Sequence, residues 1–258
     1  MRILDNVLRA YTILLLILMY VPIALMVVFS FNPIRSLAKF AGFSLRWYQA
    51  LMGNRIVWEA FFNSLWVAAV VTLVSIVLGL LMANAVVRFR FSGKPLVDML
   101  IYVPVIIPEI TESLSLLMMY VFINFPLGAW SVIIGHAAFS ISYGVVVLRA
   151  RLAGFDTSVE EAAKTLGANE LQTFLKVTMP IMMPGILAAS LLAFTISYDD
   201  FIKTMFTTGP GFKTLPLIIW FSASKGGVSP ELNSLSTFAI SISLLFAFAR
   251  MKISGIKW

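Results

Sequence analysis

Four carboxylates stand in strongly apolar surroundings in this 258-residue chain: Glu109 and Glu112 follow Pro108, and Asp199 and Asp200 follow Tyr198. A charged side chain near the bilayer centre costs roughly 2.5–3.5 kcal/mol on insertion scales, so acids within apolar segments demand a functional reading. Glu109 and Glu112 are three residues apart and share one face if the segment is helical. Acids lining a low-dielectric cleft focus the field on a cation, and a flexible, multiply charged amine would suit several separated carboxylates. The candidate pathway is therefore Glu109, Glu112, Tyr198, Asp199 and Asp200. Structural readings compete with it: Asp199 and Asp200 cap the next helical turn, and Glu112 is protonated or hydrogen-bonded to a serine.

A second patterned stretch runs from Asp156 to Gly185, a long polar interruption with helical grammar. Thr157 with Glu160, and Ser158 with Glu161, have the spacing of a capping box, in which hydroxyl and carboxylate satisfy the orphan amides that open a helix. Ala162 and Ala163 add helix propensity with almost no bulk, and Gly167 can take the left-handed conformation that ends a helix. Asn169 is placed to cap a second short helix whose Leu171, Phe174 and Leu175 fall on one side. Two short helices joined at a glycine form a docking device; the alternative is a solvated interfacial loop with ordinary caps.

The elements that position these groups must be membrane helices. The chain is 60% hydrophobic and only 12% charged, whereas soluble domains are roughly 45–50% apolar. With no Cys and a single His, this chain alone builds neither a disulfide framework nor an ordinary zinc site. Its net charge of +7 does not form a nucleic-acid stripe, because the basic residues sit at the ends of apolar segments. Gly93-Lys94-Pro95 lacks the Ser or Thr that follows the lysine of a phosphate-binding loop, so no ATP site is expected here. An intramembrane enzyme is disfavoured by the lack of Ser-His-Asp or metal-ligand spacing. His136 reads as a packed, hydrogen-bonded core residue, with a transport role as the alternative.

The expected fold is an all-α integral membrane protein with six transmembrane helices in one domain covering 1–258. The spans are placed at about 10–31, 60–87, 96–124, 127–148, 180–198 and 235–248, with a coupling loop at 149–179. The first run is too long for a signal-peptide core and lacks a cleavage site. After it, Phe43, Leu45, Trp47, Tyr48, Leu51 and Met52 suggest a short amphipathic helix at the interface. Pro104 and Pro108 interrupt span three, as in broken helices that line a cavity. Pro180 and Pro184 open span five in first-turn positions, and 199–234 reads as a long loop. Twelve of the 19 Lys and Arg residues fall on the face shared by the termini, the second loop and the fourth loop. Both termini and the 149–179 loop are therefore expected in the cytoplasm. Along an ideal helix from Asp98, Glu109 and Glu112 lie roughly 16 and 21 Å above the inner interface, and Asp199 and Asp200 lie at the outer end of span five. A stand-alone secondary transporter is the rival class, but the two halves show no convincing repeat.

The polar stretch resembles the cytoplasmic EAA loop of ABC-importer permeases, which seats in a groove of the ATPase subunit. The match is Glu161, Ala162, Ala163, three residues, Gly167, nine residues, then Val177, Met179 and Pro180, with Val and Met where the family has Ile and Leu. Nearly the whole chain resembles the second permease subunit of the spermidine/putrescine family. The peptides that carry this are Phe43-Ser44-Leu45-Arg46-Trp47-Tyr48, Arg88 to Pro95, Pro108-Glu109-Ile110, Ser197-Tyr198-Asp199-Asp200, Thr208-Gly209-Pro210, Leu215-Pro216-Leu217 and Gly227 to Asn233. The resemblance implies a type I ABC importer permease fold in the bacterial inner membrane and ATP-driven polyamine import. It implies no cofactor in this chain, ATP and Mg at two partner ATPase subunits, a sister permease subunit forming a heterodimer, and a periplasmic solute-binding protein. It implies ATPase coupling by Glu161, Ala162, Ala163 and Gly167, to which Glu160 and Leu166 of the same short helix are added as coupling candidates, and cargo contact by Glu109, Asp199 and Asp200. Permeases for other small solutes share the loop, so the acids rather than the loop carry the polyamine expectation.

Overall fold

The computed structural model describes residues 2–36, 38–226 and 230–241, and all regular structure among them is helical. Among the described residues, four helices are long and apolar enough to cross a membrane, and a fifth span arises if one bent pair is counted as a single crossing. The chain divides into two units, Met1–Trp58 with Ile218–Trp258, and Glu59–Leu217.

In the first unit, α1 (Arg2–Phe29) keeps its apolar length exposed, as a helix solvated by hydrocarbon can. The chain then folds on Asn32, whose amide donates to the carbonyls of Ser36 (2.7 Å) and Lys39 (2.8 Å) while its oxygen accepts from the Ala41 N–H (3.0 Å). The expected interfacial helix is α2 (Arg46–Gly53). Trp47 ties it to this loop by donating to the Asn32 carbonyl at 2.6 Å. Residues 230–241 are helical, so the last helix begins ahead of the expected start at 235. Residues 242–248, the basic residues Arg250, Lys252 and Lys257, and Gly227, Val228 and Ser229 lie outside the described residues.

The second unit holds most of α3 (Arg55–Arg88), then α4 (Lys94–Ile106), α5 (Glu109–Phe122), α6 (Ala129–Ala153), α7 (Ser158–Thr165), α8 (Glu170–Thr173), a π-helical turn (Phe174–Thr178), α9 (Met179–Tyr198) and α10 (Ile202–Thr207). Its main core joins Leu80 and Val86 of α3, Ile101 of α4, Val145 and Leu148 of α6, and Met182 of α9. Buried apolar surface contributes roughly 25 cal/mol per Å² in water, but in lipid the close fit of these side chains matters more.

Five sequence expectations change here. Span three breaks at Pro108 as expected, with Ile107, the residue before it, extended (φ −69°, ψ 134°) as the proline ring requires, but it does not continue in line: α4 and α5 meet at 110°. The straight-helix heights of Glu109 and Glu112 fall with it. The capping boxes at Thr157 and Ser158 do not form. Thr157 is helical and makes no side-chain cap, and the Ser158 N–H is taken by Asp156 Oδ1 at 2.9 Å. The helix after Gly167 is not a separate unit, since Glu170–Tyr198 runs on continuously. Pro184 lies inside α9 rather than in an opening turn, and the wider π turn ahead of it, with Met179 N–H bonded to Phe174 O, relaxes the ladder where Pro180 supplies no donor. Finally, 199–234 is not a long loop. Its apolar Leu215-Pro216-Leu217 start opens α11 (Leu215–Gly226), and α10 precedes it.

Candidate functional site

The expected acids gather where α5, α6, α9 and α10 meet. Glu109 and Glu112 occupy the first turn of α5, where the helix N-terminus favours negative charge. They converge on a residue that sequence reasoning passed over, Lys203 of α10. Its ammonium lies 3.0 Å from Glu109 Oε1 and 3.4 Å from Glu112 Oε2, and 3.7 Å from the centroid of the Phe139 ring. Lys203 is 1% exposed, and a cation buried that deeply requires such counter-charges. Glu112 therefore faces a lysine, not a serine. The signal was present in Asp199-Asp200-Phe201-Ile202-Lys203, where one helical turn separates acid from base, but it sat in a segment assigned to loop.

The paired aspartates have parted roles. Asp200 is buried and accepts the Thr204 N–H at 3.0 Å, so the capping reading holds for it. Asp199 is exposed. With Glu109, Phe139, Tyr143 and Asp200 it lines an open cleft of about 470 Å³. Tyr198 instead stacks on Phe194, with centroids 5.8 Å apart, and does not line the cleft.

No Ser-His-Asp spacing is visible in the sequence, yet the fold assembles such a group. His136 Nδ1 lies 2.9 Å from Ser197 Oγ, and Nε2 lies 3.0 Å from Thr204 Oγ1 and 3.3 Å from Asp200 Oδ1. All four residues are buried, so no substrate reaches the hydroxyl. The group acts as a polar peg between α6, α9 and α10, and His136 is the hydrogen-bonded core residue expected. The turn after α10 is fitted just as closely: a Cβ on Gly209 would stand 2.1 Å from the Leu127 carbonyl oxygen. Only glycine fits there.

A second polar cluster sits at the other end of α9, which spans 20 residues, or about 30 Å. Arg88, the last residue of α3, holds Glu160 of α7 with two bonds, Nη1 to Oε2 at 2.5 Å and Nη2 to Oε1 at 2.8 Å. The Thr178 hydroxyl donates to the same carboxylate. Such bidentate, charge-assisted pairs are among the stronger polar contacts. Arg88 holds the Glu160 carboxyl below the usual carboxylate range, and the Thr178 bond adds to this against the opposing effect of burial. Glu160 is thus committed inward, which explains its absence from the helix cap.

The other residues expected to dock face out. Glu161, Ala162, Leu166 and Gly167 are exposed and Ala163 is half-buried, with Leu166 at 89% exposure. Gly167 has φ +92°, the left-handed residue the sequence called for. Asn169 caps α8 reciprocally with Gln172, at 2.8 and 3.1 Å. Leu171 and Leu175 are exposed, while Phe174 packs on the core.

The chain is similar along most of its length to permease proteins of known transport systems. The spermidine/putrescine transport system permease protein PotC of Escherichia coli K12 is 38% identical over 239 residues, 93% of this chain and 90% of that protein. The putrescine transport system permease protein PotI of the same strain is 36% identical, covering 86% and 81%. A solved bacterial ABC transporter chain involved in import of the acidic polysaccharide alginate superposes with a TM-score of 0.76 at 16% identity, over 97% of this chain and 96% of that one, and shares the fold. Residues 75–253 match a family described as the binding-protein-dependent transport system inner membrane component, and the chain belongs to that family.

Proposed function

We propose that this chain is the membrane permease subunit of an ATP-driven importer that moves polyamines such as spermidine and putrescine into the cytoplasm by alternating access. The observation that carries the cargo assignment is the cleft at the end of α9, where Glu109, Asp199 and Asp200 stand beside Phe139 and Tyr143. Carboxylates attract separated ammonium groups, and aromatic faces take both ammonium and methylene segments. The similarity to spermidine/putrescine and putrescine permeases supports the same reading.

In this reading the chain is one six-span domain with both termini in the cytoplasm. It pairs with a sister permease, receives cargo from a periplasmic solute-binding protein, and rests on two ATPase subunits that bind ATP and Mg. The helix α7 is the coupling element. Glu161, Ala162, Ala163, Leu166 and Gly167 enter the ATPase groove. Glu160 couples from the permease side: it is bonded to Arg88 of α3 and to Thr178 of the π-helical turn that leads into α9, contacts that link α7 to both helices.

The test is ATP hydrolysis by the reconstituted complex with binding protein loaded with putrescine, spermidine or a zwitterionic amino acid. Stimulation by the two amines is expected. Stimulation by the amino acid alone would overturn the polyamine assignment.

A further inference from the structure

Lys203 raises a question that the cargo reading leaves open. A chain built to attract amines from outside already holds one of its own, inside the acid cluster. The ammonium is 1% exposed and sits among two carboxylates and an aromatic face, at 3.0, 3.4 and 3.7 Å. Those are the groups that recognise a primary ammonium: anionic acceptors for its N–H donors and a ring for its diffuse charge. The match is incomplete in a telling way. Glu109 keeps 40% of its side-chain exposure, and it lines the open cleft. Glu112 Oε2 has an ionic contact with Lys203 but no hydrogen bond. One cation is divided between two anions, and one of those anions is already turned toward the route of approach.

We infer that Lys203 is a tethered stand-in for cargo: its ammonium fills a primary-amine subsite formed by Glu109, Glu112 and Phe139 while the carrier is empty, and an incoming amine takes over those carboxylates. The empty state then avoids leaving the half-buried Glu109 and Glu112 as two adjacent anions without a counter-charge, an arrangement that like-charge repulsion disfavours. This inference rests on the polyamine reading for the identity of the cargo, but the subsite itself is testable with a cation that is not cargo.

The complex with its partner subunits is prepared as wild type, as Lys203→Met, and as Lys203→Met with Glu112→Gln, which preserves charge balance if the single variant does not assemble. The probe is methylammonium, and tetramethylammonium, which has no N–H donor, controls for ionic strength. The readout is the temperature at which half of the complex leaves its monodisperse peak. Methylammonium is expected to raise that temperature by roughly 2–4 °C in the vacated variants, as a ligand specific to the folded state does. It should leave the wild type unmoved, and tetramethylammonium should move none of them. Equal responses in wild type and variants, or none in either vacated variant, would overturn the inference. The two readings fail separately. Methylammonium stabilisation in a complex that putrescine does not stimulate keeps the ammonium subsite and removes its assignment to polyamine. No stabilisation in a complex that putrescine does stimulate removes the role of Lys203 alone.

Discussion

The two polar clusters at the ends of α9 are built from similar groups and balanced differently. At the Thr178 end, one arginine meets one glutamate through two short bonds, and a hydroxyl fills the remaining demand. At the Asp199 end, one lysine is divided between two glutamates at unequal distances and an exposed aspartate stands nearby. A saturated pair is a joint, because every partner lost is a penalty. An acidic excess with an open side leaves carboxylate free to meet a further cation. The contrast fits a helix that receives motion at one end and handles cargo at the other.

Removing one charge at each end should separate these roles. The largest effect is expected from Glu160→Gln, which leaves Arg88 without its counter-charge. The arginine side chain is 24% exposed, so the loss is about 2–3 kcal/mol, below the roughly 3–5 kcal/mol of a fully buried pair. It should appear as a lower melting midpoint and at least a roughly tenfold fall in import per ATP hydrolysed, if about 1.4 kcal/mol of the loss falls on the coupled step. Next comes Gly167→Val. Nothing crowds a Cβ there, but φ is +92°, so the cost is backbone strain of roughly 1–2 kcal/mol. Assembly should persist with hydrolysis uncoupled from uptake, and normal coupling in this variant would contradict the docking assignment. Asp199→Asn should be milder. Loss of one exposed charge worth about 1 kcal/mol would raise the amine concentration for half-maximal uptake about fivefold, with assembly intact.

The smallest effect is one of pH. Arg88 depresses the Glu160 carboxyl below its ordinary value of 4.5. A group with a lowered folded-state value contributes stability that is complete above its unfolded value and lost as pH falls through the folded one. The stability gap between wild type and Glu160→Gln should therefore be constant near neutrality and narrow only below about pH 4.5. Thermal melts across that range would show it, and a gap that narrows at pH 6–7 would refute the pairing.

What was legible in the sequence followed local rules. Apolar runs placed the long helices, Gly167 and Asn169 marked helix ends, and Pro108 marked the break in span three. The break angle was not legible, because a proline requires an extended residue before it without fixing the direction of the next helix. Nor were the long-range partners. Arg88 and Glu160 are 72 residues apart, and Lys203 and Glu109 are 94. The capping-box expectation failed for the same reason. Spacing offered Glu160 a local bond, and a guanidinium from α3 offered a stronger one. His136, Ser197 and Asp200 likewise look unrelated until α6 and α9 pack together.

The most direct test measures ATP hydrolysed and amine imported together in one reconstituted complex, as wild type, Glu160→Gln and Asp199→Asn. The account predicts that Glu160→Gln raises the hydrolysis-to-import ratio without shifting the half-maximal amine concentration, and that Asp199→Asn does the reverse. An Asp199→Asn complex that wastes ATP, or a Glu160→Gln complex that only weakens amine uptake at an unchanged ratio, would contradict the division of labour between the two ends of α9.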